Sequence, residues 1–402
     1  MKKGILLLLV ILLAGCGNPF GSAEFEKEDY KKIAEANNRF SFDLLKELNN
    51  LEGEQNLFFS PISIHMALSM TYNGAAGKTR EEMADVLYVQ DMKLEELNQA
   101  NASFLSKTLD KDFKSTLKIA NSLWIQKGYP FLEDFIKSTK DYYLAEFQEK
   151  DFSSKKTIEE INHWVDKKTE GNIKDLINEI RPNTVGFLIN AIYFKGDWEY
   201  PFDEKETYTG DFILENGKTK KHSFMTQTGH FHYYEDDLLQ GIELPYKNKE
   251  LSMVIFLPKE GKSLDEVHKL LSFEQWNSWL SQFQEKEGRI DFPKFTMDYS
   301  VTLNDPLIQL GMPTALSDQA DFSKMVDGGG VMIDEVLHKS FIEVNEKGTK
   351  ASGATAVIIK ETAVAIDTFT MTVNRPFFFA IKDNESGMIL FLGEVYEPTL
   401  KN

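Results

Sequence analysis

An α+β fold is predicted, on three observations. Amphipathic helical stripes dominate the first hundred residues, runs rich in branched and aromatic side chains follow, and the two kinds of element then interleave without a strict βαβ rhythm. The chain has 402 residues, long for one domain. No Pro/Gly/Ser-rich linker or block of like charge divides it, so 29–402 reads as a single domain.

Lys2 and Lys3 precede an apolar run over 5–14 that ends in Leu13-Ala14-Gly15-Cys16. The run is too short to cross a bilayer and has the layout of an export signal. Residues 1–15 read as a lipoprotein signal peptide, with Cys16 acylated as the mature N-terminus; the plainer alternative is an ordinary signal peptide. Residues 16–28 then read as a short tether. The expected location is extracytoplasmic, with lipid on Cys16 holding the chain to a bacterial membrane or cell surface. Cys16 is the sole cysteine, so no intrachain disulfide can form and the core alone stabilises the fold. The formal charge is −18, or −20 once Lys2 and Lys3 are removed. That argues against a nucleic-acid partner, which needs a basic face.

Along the chain, Ile33, Phe40, Leu44 and Leu48 recur at helical spacing and predict a helix over 30–49. Ser60-Pro61 reads as an N-cap followed by proline at the first helical position, opening a helix that runs through Met66, Leu68 and Met70 and stops near Gly74. Thr79 with Glu82 forms a capping-box pattern before Met83, Val86 and Leu87. Strands are predicted over 117–125, 185–194, 241–244 and 251–257, the last ended by Pro258. Helical spacing returns over 158–177 and 264–280.

The 31 residues 343–373 contain no proline and Phe369 as their one aromatic, so the stretch cannot anchor a core. Alternate positions from Thr349 give Thr349, Ala351, Gly353, Thr355, Val357 and Ile359 on one side, with Lys350 and Lys360 ending the other. Such a segment suits a loop in one state and a strand in another; an ordinary strand with a slack connection is the alternative.

Within it, EVNEKGTKASGATA over 343–356 resembles the hinge signature of the serpin family. NLFFSPISI at 56–64, LINAIYFKGDW at 188–198, ELPY at 243–246, LSMVIFLP at 251–258, DFPKF at 291–295, VLHK at 336–339 and NRPF at 374–377 resemble serpin segments in serpin order. The resemblance covers essentially all of 30–400. It implies the serpin fold, with three β-sheets, about nine helices and an exposed reactive-centre loop. The implied activity is inhibition of a serine protease, or alternatively a cysteine protease, by a suicide-substrate route: the cut loop enters the main sheet and traps the acyl-enzyme. About fourteen inserted residues would span roughly 45 Å.

The resemblance also assigns residues. The hinge comprises Glu346, Lys347, Gly348, Thr349, Ala351, Ser352, Gly353, Ala354 and Thr355. Small side chains at the entering positions match inhibitory members, whereas Lys347 and Lys350 depart from the acidic residues common there. The family's spacing places the reactive bond at Thr362-Ala363, suited to an elastase-like or subtilisin-like pocket, with Lys360-Glu361 and Glu361-Thr362 as alternatives. Ser60, Ser63, Asn190 and His338 match the shutter beneath the sheet, and Trp198 the breach where the loop enters. Residues 91–110 are acidic with few lysines, so no glycosaminoglycan dependence is expected. No cofactor is implied, and a monomer is expected.

An enzyme is the competing class. The chain has no Gly-x-Ser-x-Gly elbow, His-Glu-x-x-His, phosphate loop or cysteine nucleophile. His230 and His232 could share a strand face as metal ligands, but the sequence offers no third. A serpin-fold binding protein whose loop is merely cleaved as a substrate is the second alternative.

Overall fold

The helices at the N-terminal end show how the apolar spacing is used. The computed structural model describes residues 19–110, 115–349 and 368–400. A 3-10 turn, Asp29–Ile33, leads into α1 (Ala34–Glu52), so the helix expected over 30–49 starts as a tighter turn and runs three residues further. Ile33, Phe40, Leu44 and Leu48 are all buried. Within residues 19–28, part of the expected tether, Phe20 and Ala23 are buried while most of the others are exposed. Phe20 is 3% exposed and meets Phe25 edge-on at 4.9 Å, and Ser22 Oγ donates to Asp141 at 2.8 Å.

After β1 (Leu57–Phe59), α2 (Pro61–Tyr72) starts as anticipated, with Ser60 Oγ accepting from the Ser63 N–H at 3.3 Å. Then come α3 (Gly77–Val86), α4 (Leu94–Leu109), β2 (Thr116–Gln126), α5 (Glu133–Tyr143), β3 (Glu146–Lys150) and α6 (Lys155–Lys168). The capping box at Thr79 is corrected: α3 begins two residues earlier, and tertiary partners claim both side chains. Thr79 Oγ1 accepts from the Asp321 N–H, and the Glu82 carboxylate accepts from the Thr314 N–H and hydroxyl, each at 2.8 Å. The helix expected over 158–177 ends at Lys168, because Glu170 and Gly171 adopt positive φ. Its apolar spacing persists beyond the helix because Ile173 and Ile177 bury beside Ile161 and Val165 in a second, smaller core under α6.

The chain continues through β4 (Gly186–Asp197), β5 (Tyr208–Ile213), β6 (Thr219–Glu235), β7 (Leu239–Pro245) and β8 (Leu251–Pro258). The helical stretch expected over 264–280 is two short helices, α7 (Leu264–His268) and α8 (Phe273–Leu280), each started by a serine cap. The rest is β9 (Gln284–Pro293), β10 (Phe295–Thr302), α9 (Asn304–Leu310), β11 (Leu337–Asn345), β12 (Gly348–Thr349), β13 (Phe369–Thr372), β14 (Phe377–Asp383) and β15 (Ile389–Val395).

Hydrogen bonding joins the described strands into two sheets rather than three. One has six strands in the order β10-β11-β12-β4-β2-β3. The other has nine, in the order β1-β15-β14-β8-β7-β6-β9-β13 with β5 on β6. The long β6 merges what would otherwise be two sheets, since its 17 residues pair with β5, then β9, then β7. Every residue of β8 and β15 is buried, the pattern of central strands covered on both faces. Among the described residues no helix is long and apolar enough to cross a membrane.

Candidate functional site

At one end of the six-stranded sheet the chain doubles back. β11 runs out to Asn345, Glu346 and Lys347 turn, and β12 returns between β11 and β4. Thr349 lies opposite Val344 on one side and Gly196 on the other; Gly348 lies opposite Asn345 and Asp197. Among the described residues β4 and β11 share no ladder of their own, so the hinge residues are what joins them. Gly348 is required here on two counts. Its φ of +147° is a region that L side chains avoid, and an added Cβ would lie 2.1 Å from the Gly196 carbonyl oxygen.

The turn is held from outside the sheet. The Glu346 carboxylate accepts from Thr207 Oγ1 at 2.7 Å and from Lys294 Nζ at 3.0 and 3.1 Å. Burial alone would raise its pKa, but these partners outweigh burial and hold it below the usual carboxylate range. The Trp198 N–H donates to the Lys347 carbonyl and the Phe202 N–H to the Glu346 carbonyl, both at 2.9 Å. Lys347 points outward to Glu204 at 3.2 Å, so its departure from the family pattern places no charge in the sheet.

Trp198, 3% exposed, stacks on Tyr246 at 4.6 Å and donates from Nε1 to the Asn345 carbonyl at 3.0 Å. Tyr246 in turn bonds Thr349 through its hydroxyl at 2.7 Å. Sequence reasoning quoted Tyr246 only as part of ELPY. Nothing local marks it, because the contact joins residues 103 apart.

Farther down the sheet, the four residues assigned to the shutter come together. The Ser60 N–H donates to His338 Nε2 at 3.2 Å, and Ser60 Oγ donates to the Leu390 carbonyl at 2.7 Å. Ser63 Oγ donates to Asn190 Oδ1. Burial pulls the His338 pKa down to about 3, so the ring is neutral and Nε2 is free to accept. Asn121 was missed. It sits opposite Asn190 in the β2–β4 ladder, accepts from Asn190 Nδ2 at 2.7 Å and donates to the Tyr143 carbonyl at 2.6 Å. A buried asparagine in the middle of an otherwise strand-forming run was the available signal.

The C-terminal side of the segment is anchored on the other sheet, where β13 pairs parallel with β9. Phe369 stacks on Tyr233 at 3.7 Å over Gly288. The two ends of the 350–367 stretch are therefore fixed to different sheets. Lys350, Ala351, Ser352, Gly353, Ala354, Thr355, Lys360, Glu361, Thr362, Ala363 and Cys16 lie outside the described residues. His232 Nδ1 lies 3.2 Å from Glu243, and among the described residues no group of three His, Cys, Asp or Glu side chains could hold a metal ion.

Comparison with known proteins bears on the family and the fold as a whole. The family model described as serpin (serine protease inhibitor) matches residues 35–398. A serpin-like protein of Thermococcus kodakarensis is 38% identical over 92% of this chain and 86% of its own length. The leukocyte elastase inhibitor of Sus scrofa is 34% identical over 92% and 100%. Among solved structures, the thermophilic serpin tengpin in its native state superposes with a TM-score of 0.83 at 35% identity, covering 93% of this chain and 96% of that one. Human thyroxine-binding globulin, solved with its hormone, superposes equally well, with a TM-score of 0.83 at 28% identity over 92% and 100%.

Proposed function

Since the chain belongs to the serpin family, whose members are in general protease inhibitors and not enzymes, we propose that it is a suicide-substrate inhibitor of an elastase-like or subtilisin-like serine protease. The protease serine attacks the Thr362 carbonyl and the Ala363 amine leaves with the proton, creating an ester to the protease. The freed segment then adds as a strand to the six-stranded sheet and carries the protease with it before water can hydrolyse the ester. Lys360-Glu361 is the alternative bond for a trypsin-like enzyme.

The observation that carries this reading is the seat of Gly348 and Thr349 between β11 and β4. Continued residue for residue, the two ladders bring Thr355 level with His338 on one side and Asn190 on the other; the β11 ladder then ends with Ala356 opposite Leu337 and the β4 ladder with Ile359 opposite Gly186. Thr349 faces inward, so Ala351, Gly353, Thr355, Val357 and Ile359 would share its face while Lys350 faces solvent. Ten steps from Thr349 to Ile359 at about 3.4 Å make roughly 34 Å of new strand. At about 1 kcal/mol net per backbone bond, the gain is on the order of 10 kcal/mol.

Incubation with a subtilisin-like protease followed by denaturing electrophoresis tests the proposal. A covalent band at the summed mass is expected. Clean cleavage with full release of active protease would instead favour the substrate-like binding reading, which the likeness to thyroxine-binding globulin keeps in view.

The export reading belongs to the same proposal: lipid on Cys16 anchors the inhibitor outside the cytoplasm at a membrane or cell surface. Cys16→Ser is expected to abolish incorporation of labelled palmitate and release the protein from the membrane fraction. Retention of label in that variant would refute the anchor.

A further inference from the structure

Tyr246 is fully enclosed, and burial raises its phenol well above the usual value, so it stays neutral. Its hydroxyl has one partner among the described residues, the Thr349 hydroxyl at 2.7 Å. A phenol in a dry site must find such a partner or leave a polar group unpaired. The ring cannot turn away to find another. Trp198 stacks on one face at 4.6 Å and 12°, Phe194 meets the ring edge-on at 5.0 Å and 81°, and Gly196 packs so closely that a Cβ there would lie 2.7 Å from Cδ1. The backbone on either side is pinned too, by the Tyr246 N–H donating to the Leu251 carbonyl and the Glu199 N–H donating to the Pro245 carbonyl, both at 2.9 Å.

We propose that Tyr246 is a positioning residue for loop insertion: a fixed hydroxyl at the mouth of the sheet that receives the side chain of Thr349 and makes that first entering position selective for a small side chain bearing a hydroxyl. Size alone does not explain threonine here, since valine has the same shape. The hydroxyl pair distinguishes them, because valine would leave the phenol without a partner. With residue 349 already seated, the pair holds β12 in the register that the following residues extend, so loss of the pair slows insertion relative to hydrolysis of the acyl-enzyme.

The inference rests on the inhibitory reading, and the experiment separates the two. Wild type, Tyr246→Phe, Thr349→Val, Thr349→Ser and the double variant Tyr246→Phe/Thr349→Val are titrated against subtilisin, and the number of chains consumed per protease trapped is counted. Each of the first two substitutions is expected to raise the ratio of hydrolysed to trapped chains, which is the consumption less one, about three- to ten-fold, the worth of one hydrogen bond. The double variant is expected to be no worse than either single one, and Thr349→Ser to stay near wild type. Multiplying effects in the double variant, or a silent Thr349→Val, would overturn the proposal. If wild type traps no protease, the inhibitory reading fails, and the pair is read instead from the melting temperatures of the loop-nicked chains. There, non-additive losses support the pair and additive ones refute it.

Discussion

Replacing Gly348 with alanine tests the mechanics most directly. In the seated hinge, the new methyl would lie 2.1 Å from Gly196 O, 2.7 Å from Asp197 Cα and 3.0 Å from Gly196 C. All three are backbone atoms of β4, so no side chain can rotate to make room, and β4 would have to retreat by more than an ångström. That displacement breaks the pairing of residue 348 with Asp197 and weakens its pairing with Asn345. Two backbone bonds at about 1 kcal/mol each, plus about 1 kcal/mol for an L residue at positive φ, sum to about 3 kcal/mol. That is a factor of roughly 150 in the seating equilibrium. Insertion competes with deacylation, so the variant should turn from trap to substrate. Denaturing electrophoresis should show a cleaved chain in place of the covalent band, and protease activity should recover fully within the assay. A Gly348→Ala chain that traps protease at the wild-type ratio would show that trapping does not depend on this seat or on the register it sets.

Three further outcomes are expected. The shutter should be acid-sensitive: His338 is held down to about 3 from an ordinary 6.5, so between those values the unfolded chain binds the extra proton and stability falls as pH falls. His338→Gln, which keeps an acceptor for the Ser60 N–H, should flatten part of that slope in denaturant titrations from pH 7 to 4. The buried His65, held down to about 4, and His222, which burial also lowers, supply part of the remainder together with carboxylates lowered by their partners, and an unchanged slope would refute the assignment. Lys294→Ala should loosen the hinge turn by about 1 to 2 kcal/mol at neutral pH. Because the Glu346 pKa is lowered, this difference should be lost as pH falls below the ordinary carboxylate range; a gap that persists in acid would mean the lysine acts by packing alone. Finally, the chain nicked between Lys360 and Ala363 should melt on the order of 10 °C above the intact one, given a gain on the order of 10 kcal/mol. Equal melting temperatures would remove the energetic basis of the proposed mechanism.

Much of the fold was legible where a residue's role is local. The Ser60 cap, the stripe of α1 and the largely apolar β8 are written in short-range chemistry, and they stand where spacing placed them. Local rules failed where distant partners took over. Thr79 and Glu82 have the pattern of a capping box, yet residues more than 230 positions away hold both. Ile173 and Ile177 keep helical spacing without a helix, since the sheet beneath α6 rewards their burial in any backbone conformation. At the site, Ser60, Ser63, Asn190, His338 and Trp198 were reached through resemblance. Asn121 and Tyr246 were not, because each acts through a partner that only folding brings near.

From its sequence alone the chain is an acidic α+β domain with one cysteine and a long stretch of small residues unable to anchor a core, in an order of motifs like that of serpins. Composition and periodicity are sums over neighbours, and they survive in one dimension. Tertiary structure decided the placement of the hinge between β11 and β4, the enclosure of a phenol whose single partner among the described residues is Thr349, and the fastening of the segment's two ends to different sheets. These are relations between residues far apart in the chain, fixed by the closing of the two sheets and by no local preference.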